Sequence, residues 1–167
     1  MNAAAAIELG LSAVIRAYGE IGAGVAVRPF QTPIDESLIN RDGEKYWPCV
    51  DVRCDPPSPS PDTETAQVCT ATILCGTYCS NDKQNKVLKQ LYAGVQSAMD
   101  ELWIQSRPGN TGDLLTLFEA ITGAEEPAMR IAGIKVTGGQ APYVNGLVNM
   151  IGIMVQVDYS RSDWNGR

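Results

Sequence analysis

The stretch that decides the fold runs from Thr65 to Trp103. It opens with TAQVCTATILCGTY (residues 65–78) and, after Cys79, continues SNDKQNKVLKQLYAGVQSAMDELW (residues 80–103). The first part is rich in β-branched residues and spaced with a period of two. One parity holds Val68, Thr70, Thr72, Leu74, Gly76 and Tyr78; the other holds Gln67, Cys69, Ala71, Ile73, Cys75 and Thr77. Neither parity carries a charge. A strand of this kind is expected to be covered on both faces, by helices on one and by another subunit on the other. The second part changes period. Val87, Leu88, Leu91, Tyr92, Val95, Ala98, Met99, Leu102 and Trp103 recur at intervals of three and four, with Lys83, Lys86, Lys89, Gln90, Gln96, Asp100 and Glu101 opposite. This predicts a helix of about 20 residues with one broad buried stripe. Ser80-Asn81-Asp82 supplies N-cap chemistry before it, and Pro108-Gly109-Asn110 stops it.

Working towards the N-terminus, Cys49–Cys54 alternates and is read as a strand, and Val25–Pro29 as a shorter one ending at an edge or bend. Residues 3–19 place Ile7, Leu11, Val14, Ile15 and Tyr18 on one helical stripe. Between the two short strands the periodicity is weak. Asp55–Asp62 has four prolines in eight residues and is read as an extended loop outside regular structure. Towards the C-terminus, Asp113–Ile121 is read as a short helix, Gly123–Pro127 as a loop and Met129–Thr137 as a strand with a bulge at Gly133. Thr137–Pro142 is read as a turn, and Val148–Tyr159 as a cleanly alternating strand. Helices and strands do not alternate as in a parallel βαβ sheet. The expected class is α+β: a mostly antiparallel sheet with the long amphipathic helix and the N-terminal helix packed on one face. A single domain is expected over residues 1–159, with a long acidic, Pro-rich loop region at 30–64 and a polar tail at 160–167.

Composition narrows the function. The 167 residues contain 13 Lys and Arg, 19 Asp and Glu and no His, for a net charge of −6. An acidic chain is a poor phosphate-backbone binder. Without His there is no Ser-His-Asp or Cys-His nucleophile pair and no imidazole ligand or base. The acidity is local. Residues 35–64 hold eight acids against Arg41, Lys45 and Arg53, which accounts for −5 of the total. Five cysteines occur, an odd number with no C-x2-C spacing, so buried thiols are expected in place of a disulfide framework or a zinc site. The glycine-rich fragments Gly22–Val25 and Thr137–Gln140 stand in the wrong context for a dinucleotide loop. Neighbouring acids such as Asp100-Glu101 diverge on a helix and make no catalytic dyad. No catalytic residue, cofactor or metal is expected. The N-terminus lacks a basic region before an apolar run, and no stretch approaches the ~18 apolar residues of a membrane span, so no signal peptide and no membrane segment are expected.

Eight residues are candidates for partner contact. Asp42, Glu44, Asp51, Asp55, Asp62 and Glu64 form the acidic segment, Trp47 precedes a strand, and Trp164 stands in a polar tail with little local core to join. Aromatic residues in such settings are favoured interface anchors.

The order of elements resembles the tail terminator and tail completion proteins of long-tailed bacteriophages. The shared pattern is an N-terminal amphipathic helix, a short β-Arg-Pro segment, a hairpin with a variable loop, a long central helix and two closing strands. The last strand, Asn149–Tyr159, is similar in shape to that of the family. The resemblance covers residues 3–159 and implies a structural virion protein, assembled in the host cytoplasm and not an enzyme. It implies a hexameric ring at the head-proximal end of the tail tube, with sheets inside and helices outside. Such a ring ends tube polymerisation and joins the tail to the head connector. The implied partners are further copies of the chain, the tail tube protein and the connector protein, while DNA passes without specific binding. A local acidic loop would suit a channel that must not retain DNA. Two other readings stand beside it: a different neck or connector-completion protein, and a small α+β enzyme or ligand-binding domain with an acidic pocket around residues 35–64.

Overall fold

A computed structural model describes residues 2–19, 21–22, 24–29, 48–59, 66–78, 82, 84–145 and 148–162. The chain is α+β. Helix α1 spans Ala3–Ala17, followed by strands β1 (Ala26–Pro29), β2 (Cys49–Cys54), β3 (Ser58–Pro59) and β4 (Gln67–Tyr78). Helices α2 (Lys86–Gln105) and α3 (Asp113–Glu125) come next, and β5 (Met129–Asn145) and β6 (Val148–Arg161) close the fold. The strands form one sheet in the order β1-β2-β4-β6-β5, with β3 pairing to the free stretch of β4. β1 runs parallel to β2, and the other pairings are antiparallel. Pro29 ends an edge strand, where its missing N–H costs no ladder bond.

Residue parity assigns the two faces. Cys69, Ala71, Ile73 and Cys75 of β4 stand opposite Val157, Val155, Ile153 and Ile151 of β6. With Val50, Val52 and Cys54 of β2 they join the main core beneath the helices. α2 buries Leu88, Leu91, Gly94, Val95, Ala98, Met99 and Leu102 over this surface. Val87, at the end of the predicted stripe, is instead 41% exposed. α1 is enclosed on two sides. Its predicted stripe faces the sheet, and Gly10 faces α3. A Cβ on Gly10 would lie 2.8 Å from ring carbons of Phe118 and 2.9 Å from Thr122 Cγ2. Only glycine lets the two helices approach this closely. Phe118 and Thr122 are the buried residues of α3.

Four boundaries differ from the expected ones. α3 continues to Glu125 through the segment read as a loop, because Gly123 sits in helix without needing a special backbone. The Thr137–Pro142 turn is part of β5, which pairs with β6 from Met129 to Asn145. An edge strand tolerates this Gly- and Pro-rich sequence by slipping register. Slips occur between Ile131 and Gly133, as expected at that glycine, and again at Val136/Gly138 and Gln140/Tyr143. Within the proline-rich segment, Ser58 and Pro59 form a two-residue bridge to Val68 and Gln67, so this segment is not wholly irregular. The polar tail also starts later than expected. Ser160 and Arg161 pair with Arg130 and Met129, and the Ser162 N–H donates to the Ala128 carbonyl at 2.7 Å. Among the described residues no helix is long and apolar enough to cross a membrane.

Candidate functional site

The sheet face opposite the helices carries a second apolar cluster. Cys49, Val148 and Met150 are buried in it, and Ala26, Leu74, Tyr78 and Tyr143 pack against them. Strand parity puts these residues together: Tyr78 faces Val148, Cys49 faces Gly76, and Tyr143 faces Met150. Further along the same face the cluster gives way to a partly exposed surface. Val68, Thr70, Thr72 and Leu74 of β4 are half-buried there, and Met154, opposite Thr72, is 38% exposed. Gln156 and Asp158 end this row, with the Gln156 amide donating to Asp158 Oδ1 at 2.9 Å. The accessible residues of this face run from half-buried Leu74, Tyr78 and Tyr143 through Thr70, Thr72 and exposed Met154 to Gln156 and Asp158. That gradient resembles a protein interface with a dry core and a wet rim.

Of the eight residues expected to make partner contacts, two are described. Asp51 is the first of them. It lies in β2, is only 4% exposed, and is clamped by Arg28 of β1 in the adjacent register position. Arg28 Nε donates to Asp51 Oδ1 at 2.8 Å, and Nη2 stands 2.6 Å from the same oxygen. Desolvation pushes the Asp51 carboxyl above its ordinary range, against the bond and charge of Arg28, which pull it down. Within the subunit Asp51 is therefore a buried anion, on the sheet face that also carries Leu74. Asp55 is exposed just after β2, and its N–H donates to the Thr70 carbonyl at 2.9 Å. Asp42, Glu44, Trp47, Asp62, Glu64 and Trp164 lie outside the described residues.

The hinge between β4 and α2 is built on Asp82. Its carboxylate accepts from Val87 N at 3.0 Å, Leu88 N at 2.9 Å and the Thr77 hydroxyl at 2.9 Å. The capping carboxylate expected from Ser80-Asn81-Asp82 is thus Asp82, reaching past Asn85, whose φ of 56° is left-handed. Burial acts to raise the Asp82 pKa, but the Val87, Leu88 and Thr77 bonds outweigh it and hold the group below its ordinary value. A lowered folded pKa gives stability that is present above the unfolded value of ~3.9 and is lost as pH falls through the folded one. Asp82→Ala should lower unfolding free energy by about 1–2 kcal/mol at pH 7, the upper part of the range for a helix cap. In urea unfolding the deficit should shrink as pH drops below ~4, where the unfolded carboxylate takes up a proton that the folded one still resists.

The sequence reading missed two parts of this site. Arg28 as the partner of Asp51 follows only from the parallel β1–β2 pairing, which crosses residues with weak periodicity. Tyr143 was hidden by reading residues 137–142 as a turn. Leu74, Tyr78 and Met154 were visible as the second parity of their strands. Cys49, Cys54, Cys69 and Cys75 are buried free thiols, as expected. Among the described residues, no group of three potential ligands is arranged to hold a metal ion. Compared with known protein families and with characterised proteins, the chain matches none.

Proposed function

We propose that this protein is a structural component of a phage tail, a terminator whose copies join into a ring that ends the tail tube and meets the head connector. The observation that carries this reading is the partly exposed sheet face beside the second apolar cluster. Beyond the cluster that Cys49, Val148 and Met150 fill within the subunit, the far face of the sheet keeps Leu74, Tyr78, Thr70 and Thr72 half-buried and Met154 38% exposed, which suits a subunit that buries this face against a neighbour. The mostly antiparallel sheet with helices on one side agrees with the resemblance, which puts sheets inside the ring and helices outside. The edge strand β5 interrupts its own ladder three times, which hinders open-ended edge-to-edge pairing and leaves contact to side chains.

The test is a polymerisation assay with the tail tube protein of the same phage. Tubes grown with increasing amounts of this chain should become shorter, with the chain at one end only. Tubes of unchanged length and no end-bound density would refute the reading.

A ligand-binding reading has one observation in its favour. A cleft of about 440 Å³ opens between the start of α1 and the end of β2, lined by Glu8, Arg53, Cys54, Pro56 and Pro57 among others. A saturable thermal shift with a small molecule, absent in Arg53→Ala, would favour it over the structural role.

A further inference from the structure

Four cysteines lie in the described strands, and only one pair of them is set to meet. Cys49 is paired with Gly76 and Cys75 with Val50, so these two thiols stand on opposite faces of the sheet. Cys54 is paired with Ala71, which puts Cys69, two residues back along β4, on the same face and on the adjacent diagonal. Diagonal cross-strand neighbours stand about 7–8 Å apart and a disulfide needs Cβ atoms at about 3.5–4.5 Å, so a bond here requires β2 to shift at its end. Both residues belong to the main core. Cys54 is 8% exposed and lines the cleft beside α1, whereas Cys69 is fully buried behind it. Cys54 is also the last residue of β2, followed by Asp55-Pro56-Pro57, so its backbone can adjust without disturbing a ladder on its far side. Its N–H is held by Glu8 Oε1 at 2.7 Å.

We propose that Cys54 and Cys69 are an oxidation site: a dithiol that a hydroperoxide entering the cleft converts to a disulfide tying β2 to β4. The two thiols share a hydrogen bond, which pulls Cys69 down and, with burial, pushes Cys54 up. Of the two, Cys69 is the one favoured as thiolate, and the proton on Cys54 can pass to it along the hydrogen bond. Cys54, the thiol that meets the cleft, attacks one peroxide oxygen as its proton passes to Cys69. The O–O bond breaks, hydroxide leaves and takes up a proton, and Cys54 becomes a sulfenic acid. Cys69, deprotonated, then attacks Cys54 Sγ; the S–O bond breaks and a second hydroxide leaves as water. Two thiols and one hydrogen peroxide give one disulfide and two waters. The bond closes the proline-rich excursion of residues 55–68 into a covalent loop. These thiols lie on the helix side of the sheet, away from the second cluster, so this proposal and the assembly reading fail separately.

The test is treatment of the folded, reduced protein with hydrogen peroxide, followed by intact-mass measurement and non-reducing peptide mapping. The expected product is lighter by about 2 Da, the loss of two hydrogens. It should contain one linked peptide pair joining Cys54 to Cys69, and melt roughly 5–10 °C higher than the reduced form. Cys75→Ser should still form the bond, and Cys54→Ser should not. A bond to Cys49, Cys75 or Cys79 in the wild-type map would overturn the proposal. So would addition of oxygen with no linked peptide, or no reaction at all.

Discussion

Arg28→Ala should lower the unfolding free energy by about 3–5 kcal/mol at pH 7, the cost of leaving one member of a buried ion pair alone. Asp51 remains in the sheet with both oxygens removed from water, and no substitution at an exposed arginine would approach this cost. The pH dependence identifies the cause. Burial already raises Asp51 with Arg28 present, so removing the arginine raises it further. A carboxyl whose folded pKa exceeds its unfolded value binds more protons when folded. Its contribution to stability is then present at low pH and lost as pH rises through the window between the two values. Urea unfolding should therefore show a smaller deficit for Arg28→Ala at pH 5 than at pH 7. The double variant Arg28→Met/Asp51→Leu should recover much of the loss, because an apolar pair needs no partner. An equal deficit at both pH values, or a loss under about 1 kcal/mol, would mean that the pair is effectively solvated.

Met154→Glu should abolish assembly while leaving the subunit folded. Met154 is exposed on the face opposite the helices, beside Thr72 and near the second cluster. In the free subunit a carboxylate there stays in water, so stability should change by less than about 0.5 kcal/mol. In an interface it would be buried without a partner, a penalty of several kcal/mol and a loss of affinity of roughly 100-fold or more. Val87→Glu is the control. Val87 is equally exposed but lies on α2, on the other side of the sheet. Sedimentation equilibrium should find Met154→Glu monomeric and Val87→Glu assembled. If both variants assemble like the wild type, the interface lies elsewhere.

The elements with a strong period were legible in the sequence. β2 was read from Cys49 to Cys54 as observed, and α1, α2 and the ladder of β4 with β6 follow their hydrophobic spacing. Charge-free alternation in β4 matches a strand whose second face is half-buried within the subunit. What escaped was set by partners far along the chain. The Arg28–Asp51 clamp depends on a parallel pairing, and parallel register has no local signature. The run Thr137–Pro142 has the composition of a turn, and only a long neighbouring strand, β6, keeps it extended. In sequence the acidity of residues 35–64 belongs to a loop-rich segment. One of its members, Asp51, is instead an internal counter-charge, since a strand of Cys, Val and Arg gave the alternation but not the face that would be buried.

Native mass spectrometry of the wild-type protein at high concentration, alone and with tail tube protein, tests the proposed assembly most directly. The expected result is a closed ring, six copies by the family resemblance, that also binds tube ends. A strict monomer at every concentration, with no affinity for tube ends, would contradict it.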